Sequence, residues 1–159
     1  MDALFTLRDR ALTMAKKLDG LALLVARLTV GLEFTSTGWG KVHNIDKVIA
    51  FFGELGIPAP AFQARLASFT ELVCGSLLVV GLGSRLAACP LVVTMVVAIL
   101  TAKKDDLHGV TDLVGFVEWT YIAILAVVAV FGPGAVSLDA IARKSLRGMR
   151  VTEPAPART

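Results

Sequence analysis

Arg27, Glu33, Glu71 and Glu118 are charged residues set inside long apolar runs, and their chemistry asks for a reason. Glu71 lies in SFTELVCGSLLVVG, followed by Leu72, Val73 and then Leu77 to Val80. A carboxylate there wants a partner in a soluble core, and in a bilayer it is costly enough to suggest a purpose. Arg27 can hold one carboxylate with both guanidinium arms, and Glu71 on an antiparallel neighbour is the expected partner. That leaves two acids without a resident cation. A carboxyl held protonated in such a site can donate to a carbonyl, such as a quinone oxygen, or pass a proton along. Tyr121 follows one turn after Glu118, and Lys41, Trp39 and Trp119 are placed to stand at the mouth. The ligand-or-proton site therefore comprises Arg27, Glu33, Lys41, Glu71, Glu118 and Tyr121. A second reading stands beside it, in which Arg27 and the acids form a buried polar clasp that fixes helix register.

Other chemistries lack their residues. His43 and His108 fall in loops, so no pair faces across the bilayer to hold a haem. A zinc site would need further ligands. Cys74 and Cys89 are not a CxxC pair and are expected as small buried hydrophobes. No GxGxxG, Walker loop or nucleophile elbow occurs. No haem, metal or nucleotide is expected, and no catalytic residue can be assigned to this chain alone.

The elements that must position these residues follow from composition. The chain has 159 residues, 55% hydrophobic and 18% charged, with a mean hydropathy of +0.72. The apolar excess lies in blocks at 21–39, 66–82, 86–102 and 113–131. Segments of roughly 17–19 residues rise about 26–28 Å as helix, near the thickness of a hydrocarbon core. Backbone in lipid must satisfy its own hydrogen bonds, so the expected fold is all-α, an integral membrane four-helix bundle. By helical rise, Glu33, Glu118 and Glu71 all lie within about 10 Å of the outer ends, and Arg27 about 20 Å from its own. Ten Lys and Arg residues flank one side of the spans and five the other. The richer side is expected to be cytoplasmic, which places both termini there.

Short amphipathic interfacial helices complete the expectation. Leu7, Ala11, Met14 and Leu18 share one face of a helix within residues 1–20, suited to the inner surface. Ile45, Val48, Ile49, Phe52 and Leu55 repeat the pattern on the outer side, ended by Gly56-Ile57-Pro58. Gly81 to Ser84 should make a tight hairpin, and Pro90 interrupts a helix hydrogen bond early in the third span. Gly132-Pro133-Gly134 stops the fourth span, Ser137 can cap a short helix after it, and 143–159 reads as a basic flexible tail beyond a membrane domain over 21–142. The net charge of +3 is explained by the leaflet-facing basic residues, and nucleic acid is not an expected partner.

The run GIPAPAFQARLASFTELVCGSLLVVGLGSRLAA, followed by Met95 and Ala98, resembles the central signature of the DoxX family of bacterial membrane proteins. LLVARLTVGLEFTSTGWGKV ahead of it is similar to that family's first helix, and Glu118 with GPGAVSLD resembles its closing helix and tail. The resemblance covers roughly Leu21 to Arg143. It implies a four-helix protein of the bacterial inner membrane, often linked to redox systems. Some such proteins are the membrane subunit of a thiosulfate:quinone oxidoreductase, and others associate with proteins of thiol and oxidant stress. It carries over Arg27, Lys41, Glu71, Arg85 and Glu118 as motif positions without assigning them roles.

The first expectation of function is a membrane subunit of a redox complex, holding a quinone in the outer half of the bundle. Its partners would be the lipid bilayer and other subunits or further copies of itself, with electrons arriving from a partner. A second is a non-catalytic structural or assembly subunit, with Gly31, Gly38, Gly75, Gly81 and Gly115 permitting close helix contacts. A third, transport of a small metabolite, lacks the inverted repeats and paired broken helices of transporters.

Overall fold

The computed structural model describes residues 2–134 and 136–140, with side chains from Asp19 onward. Helix α1 runs Asp2–His43, α2 Ile45–Glu54, α3 Pro60–Val80 and α4 Ser84–Thr101. A short 3-10 turn at Lys104–Asp106 leads to α5, Val110–Gly115, and α6, Val117–Phe131. Among the described residues there is no strand. The helix expected over residues 1–20 is continuous with the first apolar run, in one element of 42 residues. The tail expected over 143–159 lies outside the described residues.

Among the described residues, three helical stretches are long and apolar enough to cross a membrane: Asp19–His43, Pro60–Val80 and Ser84–Thr101. Polar residues within them are accommodated locally. The hydroxyls of Thr35, Ser68, Ser76 and Thr101 donate to the carbonyl four residues earlier, at 2.7 Å each. Each hydroxyl is thereby satisfied by its own helix and asks nothing of the surroundings.

The fourth apolar block departs from expectation. Its 113–131 run does not form one helix, because Phe116 takes an extended conformation between α5 and α6. Its apolar composition is continuous, but the hydrogen-bond ladder is broken just after Gly115. Helix α6 keeps 15 residues, about 22 Å by helical rise, which is short of a full span.

Helix α1 packs antiparallel on α3, α3 on α4, α4 on α6, and α6 returns to α1. The α1–α3 contact is close because three glycines lie in it. A Cβ on Gly38 would strike the backbone of Leu72, one on Gly75 the backbone of Thr35, and one on Gly31 the backbone of Val79. Removing side chains there lets two backbones approach and gain dispersion contact along their length. Gly115 does not share this role, since a Cβ there would meet nothing. The α3–α4 hairpin turns as expected: Gly81 takes a left-handed φ of 73°, while Leu82 N–H reaches Leu77 O and Gly81 N–H reaches Leu78 O. This double hydrogen bond closes the helix end, and Gly is suited to the positive φ.

The core is narrow, built from Val30, Phe34, Leu78, Ala88, Leu91, Leu125 and Val128 between α1, α3, α4 and α6. Much of the remaining apolar surface faces outward, with Leu86 80% and Val130 68% exposed. Cys74 packs against the core, but Cys89 is on the outside rather than buried. It stands just before Pro90 on the outward face of α4, with its thiol directed to the carbonyl of Arg85.

Candidate functional site

The structure sorts the charged residues into three separate groups. The first sits where α1 ends beside α3. Lys41 Nζ donates to both carboxylate oxygens of Glu71, at 2.6 and 2.7 Å. Thr37 Oγ1 adds a longer bond to Glu71 Oε2 at 3.4 Å. Glu71 is 3% exposed and the Lys41 side chain 37%. Thr37 and Lys41 are one turn apart on α1, and the bare backbone of Gly38 between them lets α3 come near enough for Glu71 to reach both.

This pair forms part of the wall of a cavity of about 880 Å³ between α2, α3 and α4. The α2 face supplies Val48, Phe51 and Phe52, so the short amphipathic helix expected from periodicity is a wall of this cavity. Pro90, Thr94 and Met95 line it from α4, and Gln63 and Thr70 from α3. Leu66, Val93 and Val97 also line it, and these three are 52%, 60% and 44% exposed on the outside of the bundle. The cavity thus borders the apolar outer surface. Trp39 and Trp119, expected at the mouth, do not line it.

Arg27 belongs to a second group at the opposite end. It does not pair with Glu71. Its Nη1 donates to Pro133 O at 2.6 Å and its Nη2 to Val136 O at 2.9 Å. Asp139 lies near enough to act on its charge, and the Asp139 carboxylate accepts from Gly83 N–H with both oxygens at 3.0 Å. Arg85 Nη2 reaches Val130 O at 3.0 Å. The segment after α6 is thereby tied to α1 and to the α3–α4 hairpin. Ser137 accepts from Ala140 N–H at 3.1 Å, the expected cap of a helical turn at 138–140.

The reason the expected Arg27–Glu71 pair fails is register. A Cβ on Gly81 would strike the Arg27 guanidinium, so Arg27 stands at the level of the hairpin. Glu71 is ten residues back along α3, about 15 Å by helical rise. Even an extended arginine cannot span that and still lie against Gly81. A clasp does exist around Arg27, but it is built from backbone carbonyls with Asp139 nearby, and not from Glu33, Glu71 or Glu118.

Glu33, Glu118 and Tyr121 make the third group, across α1 and α6. Phe34 packs on Tyr121 with ring centroids 5.6 Å apart, and both carboxylates are close enough to act electrostatically on the Tyr121 hydroxyl. None of the three lines the cavity. Thr37 and Asp139 were not singled out from sequence. Asp139 ends the GPGAVSLD motif, and Thr37 lies one turn before Lys41, but only the fold shows what either touches.

A chain whose described residues form helices and no strand, with a thin core, long apolar helices and a largely apolar exterior, is a membrane protein. It belongs to the DoxX family, whose profile matches residues 22–104. It is 36% identical over 129 residues to the Mycobacterium tuberculosis membrane protein Rv3486, covering 74% of this chain and 79% of that one. It is 32% identical over 124 residues to the Escherichia coli inner membrane protein YphA, covering 74% and 87%. A provisionally named oxidoreductase, CatD of Bacillus subtilis, is 27% identical over 134 residues, covering 83% and 95%. No solved structure matches the chain.

Proposed function

We propose that this protein is a multi-pass subunit of a redox complex in the bacterial inner membrane and binds a quinone in the cavity between α2, α3 and α4. In this reading α1, α3, α4 and the α5–α6 segment form a four-helix membrane bundle with both termini on the cytoplasmic side, as the basic residues favour. The observation that carries it is the cavity itself: about 880 Å³, mostly apolar, bordered by outward-facing Leu66, Val93 and Val97, with one ion pair in its wall whose carboxylate is buried. That volume is within the range of small-molecule sites, which combine apolar walls with a few placed polar groups. A cavity bordering the apolar exterior suits a ligand dissolved in the bilayer.

The residues present fit a quinone. Its flat ring and isoprenoid tail suit Phe51, Phe52, Met95 and the aliphatic walls, while Lys41 offers an ammonium donor to a ring carbonyl. Lys41 has three N–H donors, so it can keep Glu71 and still donate elsewhere. Glu71 fixes where the ammonium lies and is an acceptor for a proton delivered at that oxygen. A bound quinone would supply two-electron, two-proton carrier chemistry, with electrons from a partner subunit. The name carried by the Bacillus subtilis relative agrees with a redox setting.

The test is binding of a photoreactive ubiquinone or menaquinone analogue to the purified chain. Lys41→Met and Glu71→Gln should each weaken labelling roughly tenfold, the worth of one charge-assisted hydrogen bond. Glu118→Gln, outside the cavity, should leave it unchanged. Equal labelling of the Lys41 variant and the wild type would sink the reading.

A further inference from the structure

The outward side of α1 carries chemistry that neither the cavity nor the Arg27 clasp uses. Thr29, Glu33, Ser36 and Gly40 are all exposed, and their spacing of four, three and four residues puts them on one stripe of the helix. Their depth follows from the register. Arg27 lies at one end of the bundle, against carbonyls that follow α6, and Lys41 at the other. Glu33 stands between them, about 9 Å from the first and about 12 Å from the second by helical rise. The contact of its neighbour Phe34 with Tyr121 anchors that level against α6.

Glu118 and Tyr121 adjoin the stripe from α6, and both carboxylates act on the same hydroxyl. Among the described residues, neither Glu33 nor Glu118 has a basic side chain at ion-pair distance. Yet Leu32 and Val25 beside the stripe are exposed apolar residues, 57% and 55%, as a membrane surface requires. The result is an acidic, small-residue strip on an otherwise greasy exterior, with Glu33 at mid-depth and Glu118 in the first turn of α6.

Lipid is a poor cover for that strip, since a mid-bilayer carboxylate facing hydrocarbon is expensive. A neighbouring helix is a good one, because helix interfaces in membranes favour Gly, Ser and Thr and use polar side chains to join them. Gly40 leaves room for it, as a Cβ there would meet nothing within 4 Å. A second copy packed face to face would oppose acid to acid, and the two Lys and Arg residues inside this span are already engaged, Arg27 buried in the clasp and Lys41 bonded to Glu71. What complements the strip is a cation.

We propose that the α1–α6 face docks a membrane helix of a partner subunit that presents a lysine or arginine to Glu33 and Glu118. This deepens the subunit reading above by naming the face and the partner's chemistry, and it does not depend on what fills the cavity.

A photo-cross-linking amino acid at Ser36, in the full chain in its native membrane, tests this, with Leu100 on α4 as the control position. Ser36 should cross-link to a protein whose attached membrane segment carries Lys or Arg, and Leu100 should not. Glu33→Lys should lower the yield roughly tenfold, near the upper worth of an intramembrane polar contact. Changing the partner's basic residue to Glu in the same cells should restore it. Glu33→Gln, which keeps shape and removes charge, should also lower the yield while the extracted chain keeps its thermal midpoint. Cross-linking to a second copy, to lipid alone, or with a yield indifferent to Glu33→Lys overturns the proposal. Quinone labelling of the Glu33 variants is read in parallel and should be unchanged, so failure here is distinguishable from failure of the cavity reading.

Discussion

Lys41 is what makes a buried carboxylate tolerable at Glu71. The two meet at 2.6 Å with Glu71 only 3% exposed, so removing the ammonium leaves an uncompensated charge away from water. Lys41→Met should therefore destabilise the detergent-solubilised protein by roughly 2–3 kcal/mol, less than a fully buried pair would cost because the lysine is more than a third exposed. The Lys41→Met/Glu71→Leu double variant should recover most of that loss in thermal denaturation, since it removes both charges together. A double variant no more stable than the single one would show that the pair contributes through something other than mutual charge. That Glu71 had to find a cation was legible in SFTELVCG. That the cation is Lys41 was not, because the choice depends on which α1 residue faces position 71, and a linear sequence carries no interhelical register.

At the scale of elements, register is set by glycine. Gly38→Ala should push α1 from α3, because the new methyl would meet the backbone of Leu72 rather than a flexible side chain. A loss of about 1–3 kcal/mol, the usual cost of overpacking, is expected in a thermal or denaturant melt. Gly53→Ala on α2, where a Cβ would meet nothing, should change stability by less than about 0.5 kcal/mol and serves as the control. Equal effects at both positions would mean that the close contact does not govern packing. The same reasoning explains where element boundaries were readable. Gly81 and Gly132 end helices with left-handed φ values of 73° and 84°, and both were evident as turn glycines. The break at Phe116 was hidden, since the residues on either side of it are apolar and compatible with one continuous helix.

At the scale of the whole molecule, the thin core and apolar exterior are two sides of one fact. A chain in water would bury Leu86, Val130 and Phe131, whereas these are 80%, 68% and 67% exposed. The proposed orientation can be checked directly. A reporter active only in the cytoplasm should work when fused after Thr159 and fail when inserted at Gly109, between the 3-10 turn and α5. The opposite result would invert the bundle and place the cavity at the cytoplasmic side.

Composition and periodicity by themselves determined that this chain is helical and lives in a membrane, because hydrophobic runs of spanning length answer to a solvent that is uniform along each helix. Periodicity also marked the amphipathic α2, the turn glycines marked the hairpin, and the separated motifs carried the resemblance to the family. Tertiary structure alone decided who meets whom. It assigned Lys41 to Glu71, gave Arg27 to the carbonyls of Pro133 and Val136, and opened a cavity beneath α2. These outcomes turn on shifts of a few residues between neighbouring helices. Such shifts are fixed by glycine contacts and side-chain packing summed over the whole bundle, which no single segment encodes.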